Sequence, residues 1–434
     1  MESGILFRNA RIVDANTNAI GSVVVQDNII SSCDYGIDHN FDRSLKVINC
    51  TNKILIPGIV DIQVHFREPG QEYKEDIASG LKSAAAGGIT TVVCQPNTKP
   101  TIDNTDVLRF VLNKGRMKSA VNLHCYAAVT RNLQGRCITD IKSLYENGAI
   151  GFTDDGLPIS NPDILKDAFY ETWKVKSFVA QHAEDLSISN NGSVNKGSIS
   201  KKLNDPGIAN SSEYLVVKRD LDILRSVNVD AHYHLLHVST KEAVEEIKIA
   251  KKQGLNVTCE ATPHHFILND SAVLKHHSMA KMNPPLRSEE DRLAIIEGLT
   301  NGTIDCIATD HAPHEFASKI LPINKAPFGI VGLETLLPLT LKLFYNGNLS
   351  LKEAINKITY APAKVINQKK IGLIKKGYCA NIAIIDIDNE YLVDITSFHG
   401  KSNNSPFHNM SVKGSVLLTM SNGKIEYAKK SMQL

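Results

Sequence analysis

The sequence lacks the features that mark nucleic-acid-binding, membrane-spanning or exported proteins. Its 48 lysine and arginine residues nearly balance 46 aspartate and glutamate residues, so no excess of positive charge attracts nucleic acid or an anionic membrane surface. No apolar run approaches the roughly 18 residues that a membrane-spanning helix requires. The first residues, Met1 to Gly4, lack the basic and apolar regions of a signal peptide. We therefore expect a cytoplasmic protein with no nucleic-acid or membrane partner.

Cysteine is also used sparingly. The 8 cysteines are isolated from one another, with no Cys-x-x-Cys pair, which argues against a sulfur-ligated zinc site and a disulfide framework. The composition of the chain is ordinary, with 42% hydrophobic and 22% charged residues. Its length of 434 residues is sufficient for a large core and more than one domain. Several of its 15 histidines stand at the ends of apolar runs, and these are the informative residues.

The pattern of apolar residues divides the chain into three segments. Residues 1–55 and 368–434 contain short strand-like runs separated by turn residues, and the two are expected to form one small β domain. Residues 56–367 alternate β-branched runs with amphipathic stretches such as 241–253. This alternation predicts an α/β fold with a parallel sheet, doubly wound or closed into a barrel. The polar stretch 187–212 is expected to be a loop or mobile surface excursion.

Histidine and aspartate side chains stand where successive apolar runs end. The residues at these ends are His65, Asp154, Asp155, His182, His237 and Asp310. Because the carboxyl ends of barrel strands meet at one face, these side chains are expected to converge there. Imidazole and carboxylate ligands suit Zn²⁺ with a coordination position left open for water. The alternative is a set of structural histidines, a role that we assign to four others, His232, His234, His276 and His277.

Four residues near these motifs are candidates for catalysis and substrate binding. Asp310 is the best candidate for both a metal ligand and the carrier of a proton to a leaving nitrogen. Arg67 offers a bidentate fork to a substrate carboxylate, although an ion pair with a surface acid is the alternative. Asn97 and Asn283 lie in loops marked by proline and could bind polar substrate edges, whereas turn formation is the ordinary role of asparagine there. The residues alone predict a metal-dependent hydrolase.

Taken in order, these motifs resemble those of dihydroorotases, members of the amidohydrolase superfamily. The similarity is to the longer bacterial type, which is related to the domain in the animal multifunctional pyrimidine protein. Matching segments include 65–70, 95–98, 283–287, 309–314 and 401–407. The resemblance implies a (β/α)₈ TIM-type barrel with a β-sandwich formed by both chain ends. It also implies reversible, zinc-dependent cyclisation of N-carbamoyl-L-aspartate to dihydroorotate in pyrimidine biosynthesis.

The resemblance also implies roles for individual residues. The implied metal ligands, for one or two zinc ions, are His65, Asp155, His182, His237 and Asp310, with Asp310 also the proton shuttle. The implied substrate contacts are Arg67, Asn97, Asn283, His314, Pro327 and Gly329. Hydantoinases and allantoinases carry a carboxylated lysine where Asp155 stands, which argues against those relatives. Implied partners are the small-molecule substrate, a second copy of the chain in a homodimer, or aspartate transcarbamoylase, for which some dihydroorotase-like chains serve as scaffolds.

Gln63 departs from the family pattern Asp-x-His-x-His, because it stands where the first imidazole is expected. A carboxamide offers a neutral oxygen, which suits hard cations better than zinc. One metal position should therefore be weakened, while Asp155, His182 and His237 supply the other. Three explanations are open: an accommodated change with one metal or a rearranged second site, a one-base substitution, or a weakened enzyme retained as a structural partner. Gln95, where the family usually has methionine, is a smaller departure.

Overall fold

The structure is a computed structural model that describes residues 4–36 and 44–432. Met1 to Ser3, on which the expectation about a signal peptide partly rests, lie outside the described residues. Two sheets organise the chain, one mostly antiparallel and one parallel, and each contains eight strands. Within the described ranges, no helix combines the length and the apolar character needed to cross a bilayer.

The chain begins with five strands of the mostly antiparallel sheet. They are β1 (Ile5–Val13), β2 (Asn18–Gln26), β3 (Ile29–Tyr35), β4 (Lys46–Asn49) and β5 (Ile54–Pro57). β1 is central, since it pairs antiparallel with β2 and parallel with β4 and β5. Its apolar side chains Phe7 and Ile12 are fully buried in the core of this sheet.

The next eight strands form the parallel barrel, in which spatial order follows chain order. They are β6 (Ile59–Val64), β7 (Ile89–Cys94), β8 (Asn122–Ala127), β9 (Ala149–Phe152), β10 (Phe178–Gln181), β11 (His232–Leu235), β12 (Val257–Ala261) and β13 (Cys306–Ile307). A parallel bridge between Val64 and His311 joins the segment after β13 to β6. Of the two architectures predicted for the parallel sheet, the closed barrel is confirmed.

Three strands from the end of the chain complete the first sheet: β14 (Ile382–Leu392), β15 (Ser411–Ser421) and β16 (Lys424–Ala428). β14 pairs antiparallel with β5, with Ile382 opposite Pro57. Ile384 and Leu418 from these strands share one buried cluster with Phe7 and Leu55. The two ends of the chain thus form a single β domain, as predicted, because neither alone could cover its apolar face.

Helices follow most barrel strands and pack around the barrel. The α-helices of the described residues are α1 (Ile77–Ala86), α2 (Thr105–Lys118), α3 (Ile141–Glu146), α4 (Pro162–Lys174), α5 (Leu186–Ser189), α6 (Ser198–Lys202), α7 (Ser211–Ser226), α8 (Lys241–Lys252), α9 (Pro263–Ile267), α10 (Ala272–His276), α11 (Glu289–Asn301), α12 (Phe316–Lys319), α13 (Leu336–Tyr345), α14 (Leu351–Ile358) and α15 (Tyr360–Val365). Short 3₁₀ helices span Arg131–Leu133, His277–Ala280 and Ile395–Ser397. The amphipathic stretch predicted at 241–253 is α8, whose apolar residues Ala243, Val244 and Ile247 are buried.

The polar stretch 187–212, expected to be a loop or mobile surface excursion, is largely loop but is packed against the rest of the protein. It contains α6, and its few apolar residues Val194, Ile199 and Ile208 are buried. The backbone N–H groups of Ser193 and Gly207 both donate to the Asp205 carboxylate, each at 2.9 Å. Polar side chains here satisfy the backbone of a packed segment, which is why low apolar content was misleading.

Gly58 is the single residue between β5 and β6, where the chain passes from one sheet to the other. Its N–H donates to the carbonyl of Asn381 at 2.8 Å, so the backbone of the passage is fixed. A Cβ at Gly58 would lie 2.1 Å from Oγ1 of Thr90. Glycine is needed here because the neighbouring strand approaches too closely for a side chain.

We expect Gly58→Ala to lower the free energy of unfolding by about 1–3 kcal/mol, the usual cost of overpacking a core. Urea denaturation measures this loss. Adding Thr90→Ala should recover part of it, because Thr90 Oγ1 is buried without a hydrogen-bond partner and little is lost by its removal. A double variant no more stable than Gly58→Ala would contradict this steric explanation.

Candidate metal centre

The five predicted metal ligands lie together at the carboxyl end of the barrel. His65 follows β6 directly, His182 follows β10, and His237 lies two residues beyond β11. Asp155 and Asp310 each stand three residues beyond their strands, β9 and β13. Their ligand atoms form two groups of three, and within each group all atoms lie within 4.8 Å of one another. Asp155 belongs to both groups, and all five side chains are buried.

The first group consists of Asp155, His182 and His237. His182 Nδ1 lies 3.0 Å from His237 Nε2, and each nitrogen lies 3.7 Å from Oδ1 of Asp155. The other ring nitrogen of His237, Nδ1, is buried without a hydrogen-bond partner. Two imidazole nitrogens that face each other and one carboxylate oxygen are the donor set of a divalent metal such as zinc. The residues present therefore fit a metal ion.

The second group consists of His65, Asp155 and Asp310. His65 Nε2 lies 2.9 Å from Asp310 Oδ1 and 3.3 Å from Asp155 Oδ2. Burial disfavours a charged imidazole, but the hydrogen bonds and charges of the two carboxylates prevail and raise the pKa of His65 to about 9. The pair of buried carboxylates thus creates a strongly negative position that favours a cation.

Two of the five residues have strained backbones. His237 has φ 30° and Asp310 has φ 50°, both in the left-handed region that residues with side chains rarely adopt. The segment before Asp310 is held by Asp61, whose carboxylate accepts the Thr309 N–H at 3.0 Å and the Thr309 hydroxyl at 2.5 Å. Such strain persists only where surrounding contacts impose it, and it is typical of functional sites.

Gln63 lies beside the second group and is fully buried. Its Nε2 donates to Asp155 Oδ2 at 3.4 Å, and its Oε1 is buried with no partner. A histidine at this position would offer a nitrogen lone pair, whereas the carboxamide directs a donor at the shared carboxylate. The consequence of this departure is therefore local, and it affects the group that contains His65 and Asp310.

The residues predicted to contact substrate surround the two groups. Asn97 Oδ1 lies 3.1 Å from His65 Nδ1, and Asn283 Nδ2 lies 3.4 Å from His182 Nε2. Arg67 donates to the Pro313 carbonyl at 3.3 Å, and its Nη2 lies 3.4 Å from His314 Nε2. The alternative for Arg67, an ion pair with a surface acid, is not found in the part of the chain that the structure describes.

His314 and the segment 327–329 form one wall of the site. His314 Nε2 lies 2.8 Å from the Phe328 carbonyl and donates to it, which leaves Nδ1, buried and without a partner, as an acceptor. Burial and the charge of Arg67 lower the pKa of His314 to about 2, so the ring is neutral. Gly329 has φ 117°, and a Cβ there would lie 2.5 Å from Ala312 Cβ. This wall can exist only with glycine at position 329.

Glu184 is a site residue that the sequence analysis missed. Its Oε2 lies 3.0 Å from His182 Nε2 and accepts the Asn283 amide at 2.9 Å. Although burial opposes it, the hydrogen bond and charge of His182 lower the pKa of Glu184 to about 2. A carboxylate on Nε2 fixes the tautomer of His182 and leaves Nδ1 free to bind a metal. The two-residue spacing between His182 and Glu184 was the available signal.

The four histidines that the sequence assigned to structural roles take no part in either group. His232 Nε2 and His234 Nδ1 contact the Thr258 hydroxyl at 2.7 and 2.8 Å, and His234 also lies 3.2 Å from Glu260. His276 and His277 lie at the end of α10, where His277 is exposed. His232 and His234 lie within β11 and His237 lies beyond it, so position relative to the strand separates these two residues from the ligand.

The barrel with its β domain resembles solved amidohydrolase structures. L-Hydantoinase from Arthrobacter aurescens superimposes with a TM-score of 0.87 at 25% identity, covering 99% of this chain and 97% of that one. Dihydropyrimidinase from Brevibacillus agri superimposes with a TM-score of 0.86 at 21% identity, covering 99% and 96%. The fold and the converging histidines and aspartates thus define an amidohydrolase-type barrel with a candidate metal centre.

Sequence comparison identifies the family within this class. Dihydroorotase from Ehrlichia chaffeensis is 49% identical over 430 residues, 98% of this chain and 95% of that protein. Dihydroorotase from Anaplasma phagocytophilum is 48% identical over 434 residues, 98% and 96% of the two chains. The family model described as Dihydro-orotase-like matches residues 52–243. The chain belongs to the dihydroorotase family.

We expect Glu184→Ala to weaken zinc binding by about 10–100-fold, the usual effect of removing the partner of a metal-bound histidine. Competition with a chromophoric chelator measures the affinity. Glu184→Gln should lose less, since its amide oxygen can still accept the His182 N–H. The matched control is Asp185→Asn, because Asp185 contacts Ser187 instead of a ligand. Unchanged affinity in Glu184→Ala would refute this role.

Proposed function

We propose that the chain is a zinc-dependent dihydroorotase that interconverts N-carbamoyl-L-aspartate and (S)-dihydroorotate in pyrimidine biosynthesis. The observation that carries this proposal is the convergence of two groups of metal-ligand side chains that share Asp155. One group adds His182 and His237, and the other adds His65 and Asp310. Relatives named dihydroorotase that are 46–49% identical over nearly the whole chain support the substrate. We place the reaction in the cytoplasm.

Asp155, His182 and His237 would hold one zinc ion firmly. His65, Asp155 and Asp310 would hold a second ion more weakly, because Gln63 supplies an amide where the family has an imidazole. When bound, zinc polarises a carbonyl group and lowers the pKa of a water molecule. We therefore propose single-metal catalysis, with partial occupancy of the second position.

Asp310 is the proposed proton carrier. In the hydrolytic direction, water adds to the ring carbonyl carbon, the C–N bond breaks, and the leaving nitrogen takes a proton. Asp310 Oδ1, 2.9 Å from His65 Nε2, lies in a buried site where a carboxylate can accept the proton of the water and return it to nitrogen. The strained backbone at Asp310 and the Thr309–Asp61 contacts hold the carboxylate in place for both transfers.

The substrate would be oriented by its own charge and N–H groups. Arg67 and His314 face each other across 3.4 Å, and the guanidinium offers a fork for the substrate carboxylate. The unpartnered Nδ1 of His314 would accept a ring N–H. Asn97 and Asn283, with the backbone of Pro327 and Gly329, would bind the remaining polar edges.

A second candidate function is favoured by Gln63 alone. The chain would be a weakened or non-catalytic dihydroorotase-like subunit that assembles with aspartate transcarbamoylase. It predicts tight binding to aspartate transcarbamoylase and no turnover after zinc loading. A hydantoinase-like cyclic amidase is the third candidate, and rates on dihydroorotate, hydantoin and allantoin distinguish it from the first.

We expect Asp310→Asn to abolish turnover of dihydroorotate, with a loss of at least about 10²-fold, because the amide cannot carry a proton. The spectrophotometric assay of dihydroorotate consumption measures this loss. Circular dichroism should show an unchanged fold. Normal turnover in Asp310→Asn would remove this residue from the mechanism.

We expect Gln63→His to raise metal content or turnover, because an imidazole nitrogen replaces the amide beside Asp155 Oδ2. Plasma mass spectrometry of the dialysed protein gives the zinc content per chain, and the activity assay gives kcat. Gln95→Met is the control, since it alters a neighbouring buried amide without adding a ligand. If Gln63→His changes neither quantity, the interpretation of the first barrel strand is wrong.

A further inference from the structure

Lys319 is a buried lysine in a segment whose apolar side chains are exposed. It ends α12, and its side chain is 0% exposed, whereas Phe316 is 60%, Ile320 57% and Leu321 42% exposed. Packing for stability alone would give the opposite arrangement, with the amine in water and the apolar groups inside. The inverted pattern indicates that the amine of Lys319 has a task within the protein.

The amine joins two backbone segments that frame the site. Lys319 Nζ donates to the Lys281 carbonyl and to the Pro327 carbonyl, each at 2.8 Å. The Lys281 carbonyl also accepts the N–H of Gly329 at 3.0 Å. Lys281 stands two residues before Asn283, and Pro327 two residues before Gly329. One amine thus sets the separation of two segments that both carry proposed substrate contacts.

In the described ranges 4–36 and 44–432, no acidic side chain accompanies this amine. Among the described residues, Lys319 forms no ion pair, and the neighbouring charge is a second lysine, Lys281, whose Nζ donates to the Ile323 carbonyl at 2.6 Å. Burial, with a smaller effect of Lys281, lowers the pKa of Lys319 to about 7. A buried amine without a counter-charge costs stability, so it is better explained by positioning than by stabilisation.

The backbone of Lys319 is also held in place by hydrogen bonds. Its backbone N–H donates to the Glu315 carbonyl at 3.2 Å, and its carbonyl accepts the Ser278 hydroxyl. Phe328 lies between Pro327 and Gly329, and its carbonyl accepts the Nε2–H of His314 at 2.8 Å. The wall that includes His314 is therefore connected to the Lys319 amine through this segment. Arg67 lies next along this wall, 3.4 Å from His314.

We propose that Lys319 is a positioning residue for substrate binding. Its amine holds the segments 281–283 and 327–329 at the separation that the substrate requires and keeps the segment 315–326 closed against them. The identity of the substrate rests on the proposed function. The role of Lys319 in holding the two segments together does not depend on it. Lys319 touches neither metal group, so its effect falls on substrate affinity and on closure of the segment, with metal content unchanged.

The test compares Lys319→Met with Lys325→Met. Methionine has a similar length without a donor, and Lys325 is an exposed lysine of the same segment. For Lys319→Met we expect a KM for dihydroorotate raised about tenfold, kcat changed less than about threefold, and zinc content and melting temperature not reduced. We also expect faster chymotrypsin cleavage after Phe316, read by mass spectrometry. Lys325→Met should match the unmodified protein in every measurement.

Equal KM and equal cleavage rates in the two variants would overturn the proposal. If the unmodified protein consumed no dihydroorotate, the proposed function would fall, whereas the cleavage rates would still decide the role of Lys319. If Lys319→Met did not fold, Ser278→Ala would decide instead, because it removes the hydroxyl that holds the Lys319 carbonyl. A two- to fivefold rise in KM in Ser278→Ala supports the proposal, and an unchanged KM overturns it.

Discussion

The shared carboxylate of Asp155 is the interaction on which the site depends. Its Oδ1 faces the nitrogens of His182 and His237, and its Oδ2 faces His65 and Gln63. Burial alone would raise its pKa, but the hydrogen bonds and charges of His237 and His65 hold the pKa well below its usual value. A buried carboxylate that stays ionised requires positive charge close by, and a metal ion in the proposed site would supply it.

Closure of the barrel brings these groups together. The bridge between Val64 and His311, with the His65 N–H donating to the His311 carbonyl at 2.8 Å, joins the first strand to the segment after the last. His65 and Asp310, separated by about 245 positions in sequence, thereby become neighbours. The strained φ angles of His237 and Asp310 show that the barrel imposes this geometry on its strand ends.

Much of this could be predicted from sequence, because strand ends and ligand types are local signals. The run of apolar residues before His65 and the three- and four-residue spacing in α8 depend only on neighbours in the chain. The packing of 187–212 could not be predicted, since Val194 and Ile199 are buried against residues far away in sequence, such as Met282. Lys319 was missed for a related reason: its acceptors at Lys281 and Pro327 are brought to it by the tertiary fold, and its own segment looks solvent-exposed.

The central claim is that these converging side chains hold a divalent ion at Asp155. Anomalous diffraction at the zinc edge, from crystals of the full chain grown with zinc, tests it most directly. The account predicts a strong peak bounded by Asp155, His182 and His237, and a weaker one beside His65 and Asp310. Absence of any peak next to Asp155 would contradict it, and two equal peaks would contradict the effect assigned to Gln63.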